Sequence, residues 1–440
     1  MPSSQKKLAP HPFVDMDSYS SMDEEEDVSY RGRSDTNSET NSLSLLFVTN
    51  SSRPNVRMYI VVVVSLLGAF VFGLNNANFG NVQVFKSFLD TWCTDSPRYD
   101  SCELSASKDL EWQSRFVTWC AAYVVLGNTL GTLLLGPSLS NNIGRRVCAA
   151  ASALLCILGT ALTVSTQTSV AQFMIGRCVT GIATGSMTYV APVILHETAP
   201  NSLRRRSGLL FQLFIVMGSA VAVFATSAPN ETDWQFGLIL PAIPCVLILF
   251  LLVFVPESPL SRIRHVKTRE EAIRILVESL SCVREGDVEE EAHALFRWFR
   301  ESQPTTQTSW SDILNSKNEL FRLTCVVVFL QFGQQATCIN AFLMFSGSIW
   351  NRLKFDDPVI FNVVWQISHV LAVSYALIRT ILHDDDFVGR RARLLSRASV
   401  MGPALIVVGI MYRVGDGDTD SNATYVVVVS LYLFVSLSLS

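Results

Sequence analysis

The sequence predicts an all-α, multi-pass transmembrane helical bundle, and three observations carry that expectation. First, 49% of the 440 residues are hydrophobic and only 16% are charged, with a mean hydropathy of +0.32; an average soluble domain is about 25% charged. Second, the charges cluster between long apolar runs, at about 58–82, 116–137, 147–166, 170–196, 207–229, 235–255, 320–349, 358–382, 398–412 and 423–440. Most of these runs are long enough to cross ~30 Å of hydrocarbon as helices, which makes ten spans. Third, the arginines keep to one side. Arg53 and Arg57 precede the first span, Arg145 and Arg146 follow the second, Arg204 to Arg206 the fourth, Arg262 and Arg264 the sixth, and Arg390, Arg391 and Arg393 the eighth. Basic loops stay in the cytosol, so the N-terminus and every even-numbered exit are expected there.

Each segment has its own reason. Residues 1–55 are serine-rich and acidic, with the run Asp23 to Asp27, and read as a disordered cytosolic tail. No apolar signal-peptide core opens the chain, so the first span is expected to insert as an anchor. Residues 56–256 form a six-helix N-terminal bundle, and 319–440 a partial C-terminal bundle of four. Between them, 257–318 is a cytosolic linker whose apolar periodicity from Thr268 to Leu280 and from Glu289 to Phe299 predicts short amphipathic helices. The opposite loops carry the glycosylation sequons at Asn230 and Asn422 and the pair Cys93 and Cys102, a disulfide candidate in an oxidising compartment. Most of the ten cysteines lie in apolar runs, where they read as small packing residues. A net charge of −4 argues against nucleic acid as a partner. No nucleotide-binding loop, catalytic triad or metal signature appears, so neither an enzyme nor a cofactor is expected.

The stretch Arg177 to Arg206 organises the chain. An arginine in hydrocarbon costs at least ~2.5 kcal/mol and persists where it faces a partner or a watery path. Gly181 and Gly185 follow it, and Glu197, Pro200 and Arg204 close the helix. The sequence Gly144-Arg145-Arg146 after span two returns as Gly389-Arg390-Arg391 after span eight. An offset of six helices with unchanged direction implies a parallel six-plus-six repeat. Ten helices of an expected twelve suggest a C-terminally incomplete chain.

Together with Pro256-Glu257-Ser258-Pro259 at the end of span six and Gln334-Gln335-Ala336-Thr337-Cys338-Ile339-Asn340 in span seven, these motifs resemble the sugar-porter branch of the major facilitator superfamily, most closely its facilitative hexose transporters. The likeness covers about 58–412. It implies a carrier of hexose or a related sugar working by alternating access in the lipid bilayer of the plasma membrane, with the sugar as its small-molecule partner. Uncharged amides match a hexose chemically, because each both donates and accepts. The resemblance places such contacts at Gln212, Gln334, Gln335 and Asn340, and its span-eight asparagine falls on His369. Buried amides that merely join helices are the alternative reading. Proton-linked members have an aspartate where this chain has Asn75, which favours facilitated uniport, with Arg177 expected to face span one. Arg145, Arg146, Glu197, Arg204, Glu257, Asp386, Arg390 and Arg391 correspond to the family's inner gate of salt bridges. Asn142, Pro137 and Leu260 depart from the usual residues there, so a sugar sensor, an inactive transporter-like fragment and a carrier of another small solute stand as alternatives.

Overall fold

The computed structural model describes residues 53–83, 85–93, 107–166, 169–199, 206–227, 233–264, 266, 268–286, 288–302, 319–336 and 358–382, with 399, 403 and 406 beyond them. Among these, seven helices are long and apolar enough to cross a membrane. Helix is the form such runs must take in hydrocarbon, since each backbone N–H and C=O has to be satisfied within its own segment.

Helix α1 (Val56–Val82) starts at Asn55, whose side chain accepts from the Val56 N–H. Helix α2 (Lys86–Cys93) follows. The second span combines α3 (Ser107–Leu130), a π-helical turn (Gly131–Leu135) and α4 (Gly136–Asn142). Then come α5 (Arg145–Val164), α6 (Val170–Thr198) and α7 (Ser207–Ala225). The sixth span is broken at Leu240 and Pro241 into α8 (Trp234–Ile239) and α9 (Ala242–Leu251). Three linker helices follow: α10 (Pro259–Ile263), α11 (Arg269–Ser281) and α12 (Glu289–Ser302). Helices α13 (Glu319–Ala336) and α14 (Pro358–Leu382) belong to the second half.

Helix α6 is the centre of the first half, packed against α5, α3 and α1; α7 lies on α1, α9 on α5, and α14 on α7. Glycines let the backbones approach. A Cβ on Gly181 or Gly185 would strike the carbonyls of Val124 or Asn128 in α3, and one on Gly73 or Gly218 would strike the backbone across the α1–α7 crossing. Close approach of small residues is how helices associate where lipid gives no hydrophobic drive between them. Their register also fixes direction. Phe70 meets Gly218 and Asn81 meets Thr226, so α1 and α7 run parallel. Gly68 meets Met187 while Phe79 meets Arg177, so α1 and α6 run antiparallel.

The end of the bundle where α1 begins is called proximal here, and the end where α1 finishes distal. Toward the proximal end Met58, Val61, Cys148, Cys156, Ile194, Cys245 and Ile248 form a core. Toward the distal end the core is aromatic, built from Phe79, Phe88, Trp92, Phe116, Phe173 and Trp234. Outward, Leu158, Val246, Phe250 and Leu371 are left exposed, as surface facing lipid would be. The linker helices have a small core of their own around Leu276, Leu280 and Ala292.

Residues 53–55, within the stretch read as tail, are among those the structure describes. Arg53 and Pro54 form a two-residue strand β1, antiparallel to β2 (Arg284–Glu285) in the linker, and the Asn55 N–H donates to the Val283 carbonyl at 3.0 Å. Arg284, itself buried, donates to the Thr198 carbonyl at 3.3 Å and pairs with Glu291. The linker is thereby tied both to the start of α1 and to the last turn of α6.

Candidate transport site

The proximal end holds an interlocked charged group. The Arg145 guanidinium pairs with Glu197 at 3.1 Å and donates to the Ser140 carbonyl at 3.1 Å. The other Glu197 oxygen accepts from the Ser258 hydroxyl. Glu257 does something that a reading of these residues as salt bridges does not anticipate. One of its oxygens accepts the backbone N–H of Arg145 at 2.6 Å and of Arg146 at 3.1 Å, so it caps the N-terminus of α5. A carboxylate there satisfies orphan donors and complements the helix dipole. Gly144, with φ of 129°, turns the chain into that cap, and a Cβ on it would come within 2.9 Å of the Glu257 carboxyl. The Arg146 side chain reaches the Val253 carbonyl at 3.4 Å.

Arg177 is buried in α6, and its guanidinium lies over the Phe79 ring at 5.0 Å from the centroid. It therefore faces α1, through an aromatic face rather than through Asn75. Asn75 donates to the Thr184 hydroxyl at 3.3 Å, and Thr184 approaches Asn128 of α3 at 2.7 Å. This chain of neutral groups ties α1, α6 and α3 together beside the arginine. The Asn75 Oδ1 and the Arg177 Nε have no hydrogen-bond partner among the described residues.

On α14, His369 is 2% exposed, stands 6.1 Å from the Trp365 ring and leaves its Nε2 without a partner among the described residues. Asn362 and Gln366 lie on the same face, two turns and one turn before it, and are as deeply buried. Asn362 donates to Asn81 of α1, which in turn donates to Thr226 of α7 at 2.8 Å. Gln212 is half-buried near the start of α7, whereas Gln334 and Gln335 are exposed on α13. Asn340, Arg204, Asp386, Arg390, Arg391, Asn230, Asn422 and Cys102 lie outside the described residues, and Cys93 is the last residue of α2.

The groups not foreseen from sequence are Ser140, Ser258, Thr184, Asn128, Asn81, Asn362 and Gln366. One signal for the last two was available: Asn362, Gln366 and His369 follow the i, i+4, i+7 spacing of a single helix face inside an apolar run.

Residues 60–438 match the family described as sugar (and other) transporter. An arabinose–proton symporter of Escherichia coli (strain K12) is 29% identical over 315 residues, which cover 70% of this chain and 63% of that protein. The sugar transport protein MST3 of Oryza sativa subsp. japonica is 25% identical over 368 residues, 82% of this chain and 68% of the relative. The chain thus spans less than two thirds of the length of the bacterial symporter. Among solved structures, the proton:xylose symporter XylE bound to 6-bromo-6-deoxy-D-glucose superposes with a TM-score of 0.66 at 20% identity, covering 88% of this chain and 80% of that one. The partially occluded inward-open form of XylE from E. coli gives 0.65 at 19% identity, covering 87% and 84%. At these identities the superpositions speak for the fold, a multi-pass bundle of the major facilitator type. With the family match extending over most of its length, the chain belongs to the sugar (and other) transporter family.

Proposed function

We propose that this chain belongs to a carrier that moves a hexose or related sugar across the membrane by alternating access, as a facilitated uniporter. The observation that carries the reading is a set of buried polar atoms that have no hydrogen-bond partner among the described residues: Asn75 Oδ1 on α1, and Gln366 Oε1 and His369 Nε2 on α14. A buried polar atom left unpaired costs about 1–3 kcal/mol, which a hydroxyl-rich ligand offsets on binding. Sugar names recur among the relatives, which supports the substrate class.

Uniport rests on Asn75. The position that in proton-linked relatives holds an aspartate has here an amide that cannot titrate, hydrogen-bonded to Thr184 instead of paired with Arg177. The proximal end is taken as cytosolic from the arginine distribution, and the plasma membrane as the site of action. Gln212, Gln334, Gln335 and Asn340 enter the proposal as further sugar contacts. Arg204, Asp386, Arg390 and Arg391 enter it as the rest of the cytosolic gate, Asn230 and Asn422 as glycosylation sites, and Cys93 with Cys102 as a disulfide.

Uptake of labelled D-glucose in cells lacking their own hexose transport tests the reading. Saturable uptake that unlabelled hexose competes away, and that collapse of the proton gradient leaves intact, is the expected result. Saturable uptake lost with the gradient overturns uniport. Binding or signalling without uptake replaces the carrier with a sugar sensor.

A further inference from the structure

The hydrogen bond between Asn362 and Asn81 sets a register from which more can be read. Helix α14 begins at the distal end, where α1 and α7 finish, and packs along α7; it therefore runs antiparallel to both. One turn toward the middle of the bundle from this bridge stand Asn78 on α1 and Gln366 on α14, and a further turn brings Asn75 and His369 level. Successive levels lie about 4.5–6 Å apart. Along α14 these three residues stay within about 60° of one another around the helix axis. On α1, Asn78 is turned about 60° from Asn81 toward the side on which Asn75 meets α6.

The intermediate level is the least satisfied polar position of the three. Asn78 is fully buried, and neither its Oδ1 nor its Nδ2 has a partner among the described residues; Gln366 is 1% exposed with Oε1 in the same state. Asn81 and Asn362 at the level above are bonded to each other, and Asn75 at the level below is bonded to Thr184. Three amide atoms held out of water without a partner among the described residues are costly unless something else occupies them.

We infer that Asn78 and Gln366 form a hydroxyl-binding subsite for a neutral polyol, one turn distal to the level of His369 and closed over by the Asn81–Asn362 bridge. The inference rests on the carrier reading and adds two specificity-determining residues to it. An amide pair both donates and accepts, so it recognises hydroxyls of either polarity, and it brings no countercharge for a charged solute. The purely structural account of the same residues predicts the opposite behaviour on substitution, which makes the two separable.

The test uses the purified full chain, binding of radiolabelled D-glucose, and thermal unfolding of the same samples. Asn78→Leu and Gln366→Met, which keep the branching or the chain length of the originals, are each expected to weaken glucose binding about tenfold, or about 1.4 kcal/mol. The unfolding midpoint should hold or rise, because an unpaired polar group has been removed. For at least one mono-deoxyglucose, the wild-type preference for glucose should shrink in the variant. Unchanged affinity in both variants overturns the inference and leaves the carrier reading standing. A lowered midpoint or loss of folded protein overturns it too, since the amides are then structural. Wild-type protein that binds none of the sugars overturns the carrier reading and the inference together.

Discussion

The two ends of the bundle are held by different chemistry. At the proximal end the contacts are ionic: Arg145 with Glu197, Glu257 on the first N–H groups of α5, and Arg284 with Glu291. All of them join parts of the first half and its linker. At the distal end the contacts are neutral, an aromatic cluster around Phe88 and the amide bridge from Asn81 to Asn362. That bridge crosses from the first half to the second. Charges suit joints within one half near the membrane surface, where desolvation is partial and removing one partner of a pair is expensive. Neutral amides suit a joint that must open, because a single hydrogen bond contributes only about 1 kcal/mol net. Among the described residues, the charged contacts within the first half and the neutral contact between the halves thus sit at opposite ends.

The largest effect should come from the charged joint. The Arg145 side chain is 7% exposed, so Glu197→Ala leaves a buried cation alone, at a cost of about 3–5 kcal/mol. Thermal unfolding of the purified chain measures it, and a midpoint no lower than that of Arg146→Ala would break the contrast drawn above. Next is Gly144→Ala, which forces a side chain into a left-handed backbone and against Glu257, for about 1–3 kcal/mol. Part of this penalty is steric, so it should shrink in a Glu257→Ala background; strict additivity would mean that strain alone explains the glycine.

A third substitution sharpens the comparison at the distal end. Arg177→Met removes a cation–π contact worth about 1–2 kcal/mol while leaving the aromatic cluster and the Asn75–Thr184–Asn128 chain in place. Transport should fall more than stability. Uptake unaltered at normal surface expression would remove Arg177 from the mechanism.

Much of this architecture was legible in the sequence, because its cause is local. A run such as 147–166 must be a helix in lipid, and α5 is found at Arg145–Val164. The amphipathic linker stretches became α11 and α12 for the same reason. That Arg177 meets a partner on α1 was legible because an arginine in an apolar helix is costly on its own account. The site was not legible where a role depends on what arrives from elsewhere. Nothing near Glu257 in the chain says that it will cap α5, and nothing near Asn75 says that Thr184, not Arg177, will take its amide. Arg53 and Pro54 read as tail because their partner strand lies in a different segment of the chain.

One more substitution bears most directly on the distal joint. Asn81→Leu removes the acceptor of Asn362 and a donor to Thr226, leaving a buried amide on α14 unpaired. The closed distal end should lose about 1–3 kcal/mol relative to the open one, shifting the population at least fivefold. Spin labels at Val82 and Val363 report it as a loss of the short distance between the end of α1 and the start of α14. The double variant Asn81→Leu with Asn362→Leu removes both partners at once, and an apolar pair of similar shape in a buried position is close to neutral. The short distance should therefore return in the double variant. Recovery identifies the bridge as the closing contact, whereas two single losses that simply add would assign closure to the α7–α14 packing around Val223 and Val363 instead.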